Sequence, residues 1–196
     1  LAVCEAHSQQ DKRFRTLWAP ENRHVVDAYL RGYREAYDRG HTFIIEMDAG
    51  LSHDPESLPQ FLEQLQKGYG CVLGSRFVAG GSVSNASWKR IFLSKGGTLV
   101  TNLLLGTRLK DLTSGYQGFR RDIVKKFLEH PLRSTGHFYQ TELRYLLRKK
   151  TYIEIPIHYQ APSPSVSKKS VLNSIMVLLY YFFKRIQGQS IAIDLH

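Results

Sequence analysis

Only two of the 196 residues are cysteine, Cys4 and Cys71, and neither stands in a Cys-x-x-Cys or His/Cys metal spacing. That excludes a disulfide-framed scaffold, makes zinc unexpected and sets a reducing compartment as the default. No apolar run reaches the ~20 residues that a membrane-spanning helix takes. The opening Leu1-Ala2-Val3 is too short for the apolar core of a cleavable signal, and no initiator methionine precedes it. The expectation is therefore a fragment or an incomplete gene product. There is no internal repeat. Acidic residues are scarce as well: 17 stand against 27 Lys and Arg, for a formal net charge of +10. This balance favours an anionic partner, whether nucleic acid, an acidic membrane face or a phosphorylated substrate. The basic residues are scattered, apart from Lys149-Lys150, Lys168-Lys169 and Lys184-Arg185, and no nucleic-acid module signature accompanies them. Nucleic acid is not an expected partner.

What is present reads as one α/β domain. The stretch Phe43-Ile44-Ile45-Glu46-Met47 is short, mostly apolar and rich in β-branched residues, as a buried strand is. Asp48 stands where that strand ends, Gly50 permits a turn, and Asp54-Pro55 supplies an N-cap with proline in the first helical turn. In open α/β sheets ligands bind beyond the carboxyl ends of strands. A carboxylate there can hold a divalent metal that neutralises a phosphate-rich ligand, or can simply cap the turn.

Along the chain, Phe14 to Trp18 reads as a strand and His24 to Asp38 as a helix with Val25, Val26, Tyr29, Tyr33 and Ala36 on one face. Glu56 to Lys67 is a helix and Cys71-Val72-Leu73 a second buried strand, expected beside the first. Gly80 to Ser87 is a polar loop, and Trp88 to Leu105 a long helix closed by Gly106. Asp111 to Phe119 is punctuated by glycine and rich in side-chain donors and acceptors. Helices follow over Arg121 to Glu129 and Phe138 to Lys150, and Tyr152 to Tyr159 is a strand that Pro156 confines to an edge or a bulge. Ala161 to Ser167 is a linker, and Ser170 to Ile186 a helix with one apolar face. Flanked by Lys168, Lys169, Lys184 and Arg185 and rich in aromatics, that helix suits a membrane interface, or alternatively packs on the domain's own core. The domain is expected over residues 1–162, with linker and amphipathic helix over 163–196.

Several segments, in order, resemble the family 2 glycosyltransferases of GT-A fold, and within them the dolichol (polyprenol) phosphate mannose synthase branch. They are Met47-Asp48-Ala49-Gly50-Leu51-Ser52-His53, Gly74-Ser75-Arg76 with Gly80-Gly81, Trp88-Lys89-Arg90 with Ser94-Lys95-Gly96, and Asp111-Leu112-Thr113-Ser114-Gly115-Tyr116. Gly136-His137-Phe138-Tyr139-Gln140-Thr141-Glu142 and Ser167-Lys168-Lys169-Ser170 complete the set. The resemblance implies a GT-A (Rossmann-like) α/β fold with a mixed, mostly parallel sheet, covering helices, and the first strand and nucleotide-binding opening missing. It implies inverting, metal-assisted transfer of a sugar from a nucleotide sugar, GDP-mannose or a UDP-sugar, to a polyprenyl phosphate. The protein would then work peripherally at the cytoplasmic face of a membrane.

The same resemblance assigns roles. Asp48, with Ser52 at a third ligand position, would hold Mg²⁺ or Mn²⁺. Ser75, Arg76, Arg90 and Lys168 would bind phosphate, Arg by bidentate hydrogen bonds and Lys as a point charge. Asp111, with Ser114 and Gly115, would shape the acceptor side, and Glu142 stands where enzymes with hydroxyl acceptors carry a base. The departure is Gly50, where the family has a second aspartate. It implies a weakened metal site, a water-filled position, recruitment of His53 or Asp54, or a subfamily variant. It also keeps open a degenerate, non-catalytic GT-A-like binding or scaffold protein.

Overall fold

The computed structural model describes residues 2–160, 168–189 and 191–193. Its elements in order are α1 (Ala2–Gln10), α2 (Val25–Asp38), β1 (Phe43–Glu46), a single 3₁₀ turn at Pro55–Ser57, α3 (Leu58–Gln66), β2 (Cys71–Ser75), β3 (Ser82–Ser84) and α4 (Trp88–Leu105). β4 (Gln117–Arg120), α5 (Arg121–Leu128), α6 (Tyr139–Leu146), β5 (Tyr152–Pro156), β6 (His158–Gln160) and α7 (Lys168–Ile186) follow.

The main sheet runs β1-β4-β2-β5. β4 lies antiparallel to both β1 and β2, whereas β2 and β5 pair in parallel, Cys71 opposite Tyr152. Three strands therefore point one way and one points back. The expected neighbours β1 and β2 are not adjacent, because β4 is inserted between them. β5 occupies the edge that Pro156 required. The side-chain period of two builds two cores. Ile44, Cys71, Leu73 and Phe119 face one way, against Tyr33 of α2, Phe127 of α5 and Leu143 of α6. Val72 faces the other way, with Phe61 and Leu65 of α3, Tyr116 and Ile155. All five residues of β2 are buried, as befits a strand covered on both sides.

Other expectations are corrected. Phe14 to Trp18 forms no strand; Phe14 and Trp18 are exposed and no neighbouring strand pairs with them. Ala2–Gln10 is an unforeseen helix with no buried residue. The polar loop at 80–87 contains β3, which pairs in parallel with β6. The linker at 161–167 lies outside the described residues. α7 packs Val177 and Tyr181 into the first core yet exposes Leu172, Met176, Phe183 and Ile186. α4 likewise leaves Trp88, Phe92, Leu93, Leu99 and Leu103 exposed. Arg185 of α7 donates from Nη1 to the carbonyls of Leu103 and Leu104, at 3.0 and 2.8 Å, which satisfies the C-terminal end of α4 and ties the two helices together. Among the described residues no helix is long and apolar enough to cross a membrane.

Candidate active site

β1 delivers two carboxylates of opposite fate. Glu46 shares the inward face with Ile44 and is buried. It accepts from Tyr33 Oη at 2.6 Å, Tyr139 Oη at 2.5 Å, Gln117 Nε2 at 3.1 Å and Gln140 Nε2 at 3.1 Å. Burial pushes this carboxyl above its ordinary range, and the four donors oppose that push. Asp48, just past the strand, keeps about a third of its side chain in solvent (35%). Its Oδ1 accepts from Tyr29 Oη at 2.9 Å. Tyr29 and Tyr33 stand one helical turn apart on α2, so a single face of that helix serves both carboxylates.

His53 closes the turn. Its Nδ1 accepts the Asp48 backbone N–H at 3.1 Å and lies 3.9 Å from Asp48 Oδ2. The ring stacks on Tyr116 at 4.9 Å and tilts against Tyr159 at 5.5 Å. Burial holds its pKa below the ordinary 6.5, against the opposing field of Asp48. A neutral imidazole that accepts at Nδ1 carries its proton on Nε2, which is buried without a partner among the described residues.

Arg76, at the end of β2, is committed to Asp111. Nε donates to Oδ2 at 2.7 Å and Nη2 to Oδ1 at 2.8 Å, the backbone N–H adds a third bond at 3.1 Å, and Nη2 also reaches Thr113 Oγ1 at 2.6 Å. Side-chain exposure is 9% for Arg76 and zero for Asp111. Burial raises the Asp111 pKa, but the Arg76 hydrogen bonds and charge prevail and hold it below the usual carboxylate range. Arg76 Nη1 makes no hydrogen bond among the described residues. The guanidinium lies 5.3 Å from the Tyr159 ring that the buried His53 also touches, so Arg76 and the turn that carries Asp48 are linked through packed rings. A second link runs through Gly115: a Cβ there would stand 2.5 Å from Gln140 Nε2 and 3.6 Å from Asp48 Oδ1, so a larger residue would displace the amide that Gln140 donates to Glu46.

Arg90 is the second cation brought to this surface. Ser87 caps α4, accepting from Arg90 N at 3.4 Å, and a shallow crevice is lined by Arg76, Phe77, Arg90, Ser94 and Tyr159. Ser75 is fully buried, its hydroxyl turned to the Phe77 N–H at 3.5 Å, which makes it part of the β2 turn rather than a surface donor. Ser52 is buried too, and its carbonyl accepts from Gln160 N. The Lys168 side chain lies outside the described residues. Glu142 does not face this surface. Its carboxylate is buried and accepts from Arg133 N and Ser134 N, each at 2.9 Å, and from Tyr181 Oη at 2.7 Å. These bonds tie α6 to α7 and to the preceding loop.

Sequence reasoning gave no role to Glu46, Gln140 or Arg144. The register of β1 already put Glu46 on the face of Ile44. Arg144 is buried, and it donates to the carbonyls of Asp111 and, at 2.8 Å, Ser114. It thereby braces the loop that carries Asp111 and Gly115. No three His, Cys, Asp or Glu side chains among the described residues converge as a metal site. An ion held at Asp48 would therefore need a shell largely completed by a bound diphosphate and water, the usual situation for Mg²⁺.

Residues 1–128 match the family described as Glycosyl transferase family 2. The polyprenol monophosphomannose synthase of Mycolicibacterium smegmatis is 36% identical over 148 residues, which are 74% of this chain and 56% of that protein. The undecaprenyl-phosphate mannosyltransferase of Micrococcus luteus is 34% identical over 145 residues, 73% of this chain and 59% of that protein. A dolichol-phosphate mannosyltransferase of Pyrococcus furiosus is 36% identical over 110 residues, 55% of this chain and 30% of that protein. The chain thus spans little more than half the length of the first two. In fold, it is similar to glucosyl-3-phosphoglycerate synthase of Mycobacterium tuberculosis, solved with uridine diphosphate. The TM-score is 0.58 at 15% identity, over 83% of this chain and 56% of that one.

Proposed function

The chain belongs to glycosyl transferase family 2, and on that premise we propose that it moves a glycosyl group from a nucleotide sugar to a polyprenyl phosphate at a membrane surface. One observation carries the reading. The crevice that gathers Arg76, Arg90 and Ser94 lies against α4, whose outward side is apolar at Trp88, Phe92, Leu93, Leu99 and Leu103. α7, which packs beside α4, exposes Leu172, Met176, Phe183 and Ile186 in turn. A pair of guanidinium groups beside an extended exposed apolar face suits an acceptor with an anionic head and a long hydrocarbon tail. Cationic Lys89, Lys95, Lys169 and Arg185 on the same two helices suit an anionic lipid surface. The cysteines, one exposed and one buried, are both free, which suits the cytoplasmic face.

Chemically, the acceptor needs no strong base. A phosphate monoester has a second pKa of about 6 and is already a nucleophilic dianion near neutrality. The commitment of Glu142 to backbone N–H groups and to Tyr181 accords with that. Arg76, oriented by Asp111 and Thr113, would present Nη1 to a phosphate oxygen, and Arg90 would supply the second cation. Attack from the face opposite the leaving nucleoside diphosphate inverts the anomeric carbon. Asp48, positioned by Tyr29 and by the turn that His53 holds, would be the protein ligand of Mg²⁺ or Mn²⁺, with Ser52 behind it. When bound, such an ion stabilises the charge of the departing diphosphate. The alternative of a non-catalytic scaffold is disfavoured, since all three relatives carry transferase or synthase names.

Transfer of labelled sugar to polyprenyl phosphate in vesicles tests the reading. GDP-mannose comes first, because mannose is named in each relative, and UDP-sugars follow as a parallel arm. Arg90→Gln should raise the acceptor KM, and Asp48→Asn should lower kcat, with both variants folded. Unchanged kinetics in both, or equal transfer to a water-soluble phosphate, would defeat it.

A further inference from the structure

A cavity of about 210 Å³ lies between the sheet, the turn after α4 and the C-terminal end of α6. Leu73, Leu109 and Phe119 give it apolar walls, and Arg108, Arg144 and Arg148 line it as well. It is separate from the Arg76–Arg90 crevice and shares no lining residue with it. Arg144 is only 2% exposed, and its Nη groups are bonded to the carbonyls of Asp111 and Ser114. Its Nε–H is buried with no partner among the described residues. A buried guanidinium without a carboxylate partner is costly, and an anion entering the cavity beside it would lower that cost. Arg148 is steadied by its bonds to the carbonyls of Tyr145 and Ile191, and Arg108 is exposed at the rim. Among the described residues no carboxylate lines the cavity. The countercharges nearest Arg144, Asp111 and Glu154, lie with the loop that Arg144 braces.

We propose that this cavity is a second binding site, for a phosphate monoester carried on a short apolar body. The phosphate sits among the guanidinium groups of Arg108, Arg144 and Arg148, while the apolar part fills the space between Leu73, Leu109 and Phe119. Because Arg144 holds the carbonyls of Asp111 and Ser114, occupancy steadies the loop from Asp111 to Gly115 and so reaches the Asp48 surface from behind.

The test follows the Arg144 Nε–H resonance by ¹H–¹⁵N NMR while hexyl phosphate or inorganic phosphate is titrated into the whole chain. Arg90→Gln serves as the background, so that the crevice on the other surface contributes little. Hexyl phosphate should move the Arg144 signal saturably, and inorganic phosphate should bind about tenfold more weakly. Leu109→Trp, which fills the cavity without changing charge, should abolish the shift. Arg108→Gln, at an exposed position that folding tolerates, should weaken binding several-fold and decides the matter if Leu109→Trp fails to fold. A static Arg144 signal at millimolar hexyl phosphate, or affinity indifferent to the substitutions, would overturn the site. Equal binding of inorganic phosphate would overturn the apolar body. Persistence of the shift in Arg90→Gln, whatever that variant does to sugar transfer, separates this site from the proposed function.

Discussion

The Arg76–Asp111 pair offers the sharpest quantitative test. Asp111 is fully buried and receives two side-chain bonds from Arg76, at 2.7 and 2.8 Å. Removing one partner of a buried ion pair costs about 3–5 kcal/mol, because the other charge stays buried and uncompensated. Arg76→Met keeps three donors on the carboxylate, namely its own backbone N–H and the Thr113 N–H and hydroxyl, which puts the loss near the lower figure, ~3 kcal/mol. Asp111→Asn should cost a similar ~3 kcal/mol. In the double variant neither charge is orphaned, so the two losses should fall short of additivity by about 2 kcal/mol, within the coupling range of contacting residues. For a chain of this size a 3 kcal/mol loss lowers Tm by about 6–12 °C. The pH dependence gives a second readout. In the parent chain Asp111 titrates below its ordinary 3.8, so its stabilisation is complete above 3.8 and is lost as pH falls through the folded value. In Arg76→Met the chief cause of that lowering is gone, burial is left to raise the pKa, and acid relieves the buried charge. The gap between parent and variant should therefore narrow from pH 7 to pH 4. Urea unfolding of the four chains at both pH values measures all of this. Additivity within ~0.5 kcal/mol, or a gap that widens in acid, would refute the coupled-pair account.

Gly81→Ala should be strongly destabilising, by about 2–4 kcal/mol, because its Cβ would sit 2.6 Å from the Ser75 carbonyl oxygen and force backbone to move beside Arg76; thermal unfolding with circular dichroism checks it. The unfolded chain protonates His53 near 6.5 while the folded chain resists, so stability should decline as pH falls below 6.5. His53→Asn, whose amide oxygen can replace Nδ1 as acceptor, should flatten that decline in a pH series of melts. Glu142→Gln should lower stability by about 1–3 kcal/mol and leave the pH profile of transfer unchanged, since a carboxylate with three buried donors is replaced by an amide; a lost acidic limb in that profile would restore it as a base.

The periodic parts of the chain were legible. α2, α3, α4 and α5 begin and end within about two residues of where caps, glycines and apolar spacing place them, the ordinary tolerance of such boundaries. Asp48 stands past the end of its strand as the apolar run implied. What escaped is what depends on partners distant in sequence. Nothing near residue 117 announces that four residues will lie between two strands made much earlier. Nothing near Arg76 announces Asp111, so a cation read as free for phosphate is half neutralised. The apolar positions of α4 have helical spacing, but spacing alone does not say whether a core or a lipid surface lies opposite. Glu46 was the recoverable omission, because a carboxylate in register with Ile44 must bring its own donors into the core.

The central place of β4 also bears on how the chain is made. Among the described residues β1 has one strand partner, and it is β4; β2 gains its partners only from β4 and β5. During synthesis, at roughly 5–20 residues per second, β2 must wait for seconds, with neither of its partners made, while α4 and the 111–116 loop emerge. The sheet closes over long sequence separations, which is slow compared with helix formation. The loop that carries Asp111 and Gly115 leads directly into β4, so the active surface and the sheet are completed in one event. A nascent chain stalled before β4 would present Val72 and Leu73 on a bare strand, and that is the interval in which a chaperone has most to hold.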